Sequence, residues 1–190
     1  MTFLILGIIL FLAIHLVPQF PDLKDRFVDK IGMTGYRALH GVIALGSVAL
    51  IVYGYFESRN DPVIIWYPPF WTRHLAATLM IIASILVFAA PFAGKIKEKL
   101  TSPLSVGLKL WALAHLIGNG TLGDIVVFGF FLAFAVSYRI SLKKRIAAGL
   151  VSVPKGRWIN DVYAIVLGLA FYVVMVLWAH EWAFDVSPIM

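Results

Sequence analysis

Apolar residues run through this chain in six long blocks, not in the alternating or one-faced patterns of a soluble fold. The blocks cover residues 2–18, 37–56, 73–93, 103–119, 122–140 and 160–183, and most are rich in Leu, Ile, Val, Phe and Ala. A helix needs about 20 such residues to cross a hydrocarbon core of roughly 30 Å. The pattern therefore predicts an all-α integral membrane bundle of about six transmembrane helices, forming one domain over residues 1–190. The breaks carry charges, Pro and Gly, as in Pro18-Gln19-Phe20-Pro21-Asp22 and Gly118-Asn119-Gly120-Thr121. The fourth block is short and contains Lys109.

Composition agrees with the blocks. Hydrophobic residues make up 61% of the chain and charged residues 14%, with a mean hydropathy of +0.90. Soluble domains carry about 25% charge, so a soluble fold, a disordered chain and a coiled coil are all excluded. The first block has no basic stretch before it and no small-residue cleavage site after it, and is read as a retained helix, not a signal peptide. No repeat of 20–50 residues stands out, which disfavours solenoids and duplicated transporters.

The net charge is +6. In a membrane protein that excess speaks of topology, not of nucleic acid, because Lys and Arg gather in cytoplasmic loops. Of the 16 basic residues, 13 fall in the loops after the first, third and fifth blocks, two (Arg59 and Arg73) fall on the opposite side, and Lys109 lies within a block. The loops after blocks one, three and five are thus expected in the cytoplasm of a cell whose inner membrane holds the protein, with both termini periplasmic. Segment 141–158 mixes basic and apolar residues. It reads either as a stretch lying on the cytoplasmic membrane surface, held by anionic headgroups, or as a plain basic loop.

Chemistry is confined to few residue types. The chain has no cysteine, so disulfides, iron–sulfur clusters, thiolate catalysis and covalently attached c-type haem are impossible. Its five histidines, His15, His40, His74, His115 and His180, all lie in or beside the predicted spans. An ionisable residue within a span is a functional hypothesis by default. Neutral imidazole is the commonest protein ligand for haem iron, and two facing helices can supply such a pair. The acidic residues lie mostly in loops, which weakens zinc, di-iron and proton-relay readings. Against ligation, His40, His74 and His180 sit near helix ends, where an interfacial or hydrogen-bonded role is common. At about 1.5 Å per residue, His15 lies roughly 20 Å from the external face and His115 roughly 18 Å from the cytoplasmic face. Depth alone pairs His15 with His40, and His115 with His74 or His180.

Several segments carry a resemblance. His15-Leu16-Val17-Pro18, Gly35-Tyr36-Arg37-Ala38-Leu39, Trp71-Thr72-Arg73-His74-Leu75 and Lys109-Leu110-Trp111-Ala112-Leu113-Ala114-His115-Leu116, followed by Gly118-Asn119-Gly120, resemble the NnrU family. So does the tail, Trp178-Ala179-His180-Glu181-Trp182. The NnrU family is similar to the zeta-carotene isomerase of plants and cyanobacteria, an integral membrane protein with haem b. The resemblance implies haem b as cofactor, His15 and His115 as the two iron ligands, and a hydrophobic polyene as substrate. Loss of one ligand on reduction would then open the iron to a double bond, giving a redox-gated cis–trans isomerase. The alternative it implies is a non-catalytic membrane haem protein or sensor that supports denitrification or nitrogen-oxide metabolism. A histidine that the isomerase carries within Arg-His-Pro is replaced here by Thr101-Ser102-Pro103.

Neighbouring residues acquire candidate roles on that basis. Trp111, four residues before His115, shares its helix face and would pack on a porphyrin edge or face lipid and other helices. Asn119, four residues after it, would orient the imidazole or cap the helix. Lys109 lies about 120° round the helix from His115 and would either snorkel to the surface or pair with a haem propionate. Arg73 offers the same at the external end, beside His74.

Overall fold

The computed structural model describes residues 1–188 and is all-α: among those residues the one β feature is an isolated bridge between Ile64 and Thr121. The helices are α1 (Thr2–Leu16), α2 (Pro21–Ser58), α3 (Trp71–Ala89), α4 (Lys95–Leu100), α5 (Pro103–Gly118), α6 (Leu122–Ala147), α7 (Trp158–Val174) and α8 (His180–Phe184). A π-helical turn, Met175–Ala179, joins α7 to α8 without a break. Each predicted block is helical. Five helical stretches are long and apolar enough to cross a membrane, and α5 is a shorter apolar helix of 16 residues, about 24 Å long. Side chains such as Val42, Leu45, Val166 and Leu177 are exposed, as a lipid-facing surface requires.

The chain forms two compact units, Met1–Val63 and Ile64–Met190. In the first, α1 packs along α2. There is no hydrophobic drive between helices in lipid, so they associate where small residues let backbones meet. Gly7 and Gly54 do this here. A Cβ on Gly7 would stand 2.7 Å from the Ile51 nitrogen, and one on Gly54 would stand 2.6 Å from the Leu4 Cα. Leu4, Ser47 and Ile51 are buried in this seam, and the Ser47 hydroxyl is satisfied by the Ala44 carbonyl at 2.7 Å.

The second helix departs from expectation. It starts at Pro21, sixteen residues ahead of the predicted span, and breaks at Gly32, whose φ of 73° is open to glycine but costly for other residues. The front part, Pro21–Ile31, carries Leu23, Phe27 and Ile31 at helical spacing among six charged residues. That is the pattern of a helix lying in the interface, and its charges hide it from a search for apolar blocks.

In the second unit α3 packs against α5 and α7, and α5 against α6. Small residues again mark the contacts: Gly107 faces Ala83 and Leu86, Gly168 faces the Ile85 backbone, and Ala83, Ala112, Ala114 and Ala164 are fully or nearly buried. At the polar end of α3, Asp161 accepts from the Lys95 and Ile96 amides at 2.8 and 3.0 Å and starts α4. Glu98 accepts from Gly156 N–H at 2.6 Å and Lys95 Nζ at 2.9 Å. These bonds, Lys95 first, hold its carboxyl below the usual range. In segment 141–158 α6 runs on to Ala147, and Gly156 and Arg157 tie back to Glu98 and Ala93; just before it, Arg139 donates to the Leu100 carbonyl.

The α1–α2 seam predicts its own sensitivity. Gly54→Val forces the backbones apart, and overpacking of this kind costs about 1–3 kcal/mol. Gly41, with nothing within 4 Å of an added Cβ, accepts alanine without loss. Thermal unfolding of the two variants in detergent, followed by tryptophan fluorescence, separates these outcomes.

Candidate functional site

The histidines are paired within the units. In the first unit the His15 and His40 rings lie 5.3 Å apart, centroid to centroid, at 69°. In the second, His115 and His180 lie 6.5 Å apart and nearly parallel, at 27°. These are the partners that depth arithmetic offers; His74 is not part of either pair, being exposed and set edge-on against Phe70 at 5.3 Å.

Helix geometry sets the tautomers. Nδ1 of His15 lies 2.7 Å from the Phe11 carbonyl and Nδ1 of His115 lies 2.8 Å from the Trp111 carbonyl, each four residues back on the same helix. His180 Nδ1 lies 2.7 Å from the Val186 carbonyl. A carbonyl oxygen only accepts, so Nδ1 donates in all three, and in the neutral ring Nε2 carries the lone pair. Histidines that ligate a metal through one ring nitrogen usually donate the other N–H to a carbonyl or carboxylate, which fixes the tautomer and the ring's orientation.

Spacing distinguishes the pairs. Metal–imidazole bonds of about 2.0–2.1 Å and a ring radius of about 1.2 Å put two imidazoles roughly 6.4 Å apart on opposite sides of a metal and about 5 Å apart at a tetrahedral angle. His115 and His180, at 6.5 Å, match the first spacing, and His15 and His40, at 5.3 Å, the second. A π-helical turn precedes His180, and such single turns recur at functional sites. Among the described residues no group of three or more His, Asp and Glu converges.

Aromatic rings surround His115. Phe128 stacks on it at 4.5 Å and 26°, and Trp111 lies 5.1 Å away, in edge contact with Phe128 and Phe131. Trp111 thus sits on the His115 face, as its spacing requires. Phe128, on α6, is a contact that spacing along α5 does not reveal. In the first unit Phe11 stacks on His15 at 4.0 Å.

The other candidates fall around these pairs or apart from them. Asn119 caps α5: its amide donates to the His115 carbonyl at 2.9 Å and its carbonyl accepts from Trp66 Nε1 at 3.0 Å. Orientation of the imidazole comes from the Trp111 carbonyl. Lys109 is half-buried on α5, and Arg73 is exposed with its guanidinium 5.8 Å from the Phe70 ring centre. The α5–α6 corner is rigid: Gly120 accepts from the Ile65 and Trp66 amides, and Thr121 and buried Asp124 form a reciprocal cap at the start of α6.

A family model described as NnrU protein matches residues 3–188. No curated protein and no solved structure matches the chain.

Proposed function

Because the chain belongs to the NnrU family, we propose that it is a membrane protein that binds haem b through histidine imidazoles, with His15 and His115 as the iron ligands that the family's similarity to zeta-carotene isomerase implies. The observation that carries the reading is the Nδ1–H···O=C bond on each ring, which presents Nε2 as the donor atom. The absence of cysteine excludes a covalently attached c-type haem; b-type haem is what the family's similarity to zeta-carotene isomerase implies. When bound, that group would supply a redox-active iron.

The chain's own residues do the rest. Trp111 and Phe128 exclude water from the His115 imidazole and give it a flat apolar surround. Lys109 and Arg73 are the cations proposed for the acid groups of the porphyrin. The proposed reaction is cis–trans isomerisation of a hydrophobic polyene that reaches the site from the bilayer. A second ligand set, His115 with His180, is favoured by their 6.5 Å separation.

Protein purified from haem-replete cells is expected to show a Soret band. It should be lost or strongly shifted in His115→Ala. A shift in His15→Ala and none in His180→Ala supports the first ligand set, and the reverse supports the second. A colourless wild type overturns the haem reading. A coloured protein that leaves di-cis zeta-carotene unchanged in cells is a non-catalytic haem protein.

The same reading places the basic loops in the cytoplasm of a bacterial cell and both termini in the periplasm, on the 13-to-2 split of loop Lys and Arg. With no native cysteine, single introduced thiols report this cleanly. Asn60→Cys should label with an impermeant maleimide on intact spheroplasts, and Ser152→Cys only after lysis. The opposite pattern inverts the topology.

A further inference from the structure

The corner between α1 and α2 holds a cavity of about 240 Å³ lined by Pro18, Lys24, Tyr36, Arg37 and His40. The break at Gly32 creates it, because it separates Lys24, on the front part of α2, from Tyr36, Arg37 and His40 on the part that follows. Tyr36 is 7% exposed. Its hydroxyl is buried with no hydrogen-bond partner among the described residues, and so is Nδ1 of His40. An unpartnered buried polar atom is costly, and each one in a native structure calls for a partner. Two cations stand beside these two orphans. The ion pairs among the described residues, Met1–Glu57 and Lys95–Glu98, involve neither Lys24 nor Arg37. Asp22, Asp25 and Asp29 share the front of α2, yet no carboxylate lines the cavity.

A larger cavity of about 340 Å³ in the second unit lacks this character. Its cation, Lys97, is already bound to the Ala90 carbonyl at 2.6 Å.

We propose that the Gly32 corner is an anion site that seats a phosphate group, the headgroup phosphate of an anionic phospholipid. Lys24 and Arg37 supply the charge, and Arg37 also supplies the fork geometry that suits a phosphate. The Tyr36 hydroxyl, and His40 through Nδ1–H, supply donors that otherwise go unused. The wall of Pro18 and the Tyr36 ring accepts the apolar start of the lipid, and the site sits where an interfacial helix meets a span, at headgroup level. Free phosphate shares the chemistry but not the apolar wall.

The experiment is native mass spectrometry and thermal unfolding of the delipidated full-length protein with added phosphatidylglycerol, phosphatidylcholine or inorganic phosphate. Phosphatidylglycerol should be retained preferentially and raise the unfolding temperature. Tyr36→Phe, which removes only the hydroxyl, should weaken retention about tenfold, as loss of a bond to a charged group does. The same variant should unfold no earlier than wild type without lipid, since an orphaned group is removed. Lys24→Gln with Arg37→Gln should abolish the preference over phosphatidylcholine. Stabilisation by inorganic phosphate equal to that by phosphatidylglycerol, lost in the same variants, would overturn the lipid as ligand and leave a free-phosphate site. Equal retention of both lipids by wild type, or a preference that survives all these substitutions, would overturn the anion site. None of these readouts depends on haem.

Discussion

Helices in lipid gain nothing from hiding apolar surface from one another, so this fold rests on how closely their backbones can approach. Gly7 and Gly54 in the first unit, and Gly107 and Gly168 in the second, remove side chains at the points of closest contact. Buried alanines continue the same seams. Many of the larger apolar side chains, such as Val42, Leu45, Val166 and Leu177, are exposed, as a surface facing hydrocarbon requires. A polar group held inside such a bundle needs a partner for each of its donors and acceptors.

The histidines meet that demand economically. An imidazole in an apolar setting needs both nitrogens accounted for. His15 and His115 satisfy one of them on the carbonyl four residues back, which costs no partner helix and holds the ring against its own backbone. His180 reaches the Val186 carbonyl beyond the end of its helix instead. A π-helical turn precedes it, and its ring lies 6.5 Å from that of His115. His40 differs: its Nδ1 is left buried in the Gly32 corner without a partner among the described residues, which separates its chemistry from that of the other three.

The spans were legible because hydrocarbon thickness is a hard length constraint and because the basic residues sort by side. The front of α2 was not, since Asp22, Lys24, Asp25, Arg26, Asp29 and Lys30 outweigh Leu23, Phe27 and Ile31 in any hydropathy reading. The polar-end ties through Asp161 and Glu98 join residues more than fifty positions apart, and no local pattern announces them. Depth along each helix narrowed the histidine partners to His40 for His15, and to His74 or His180 for His115. His180 follows a π-turn, which apolar composition does not encode. Trp111 beside His115 followed from spacing alone; Phe128, on another helix, did not.

The proposed function requires that two imidazoles of this bundle ligate one haem iron. The low-temperature electron paramagnetic resonance spectrum of the purified ferric protein tests it most directly. Two nitrogen ligands from histidine predict a low-spin signal of the bis-imidazole type, with rings near parallel giving the rhombic form if His115 and His180 are the pair. A purely high-spin signal, or a protein with no haem to examine, would contradict it.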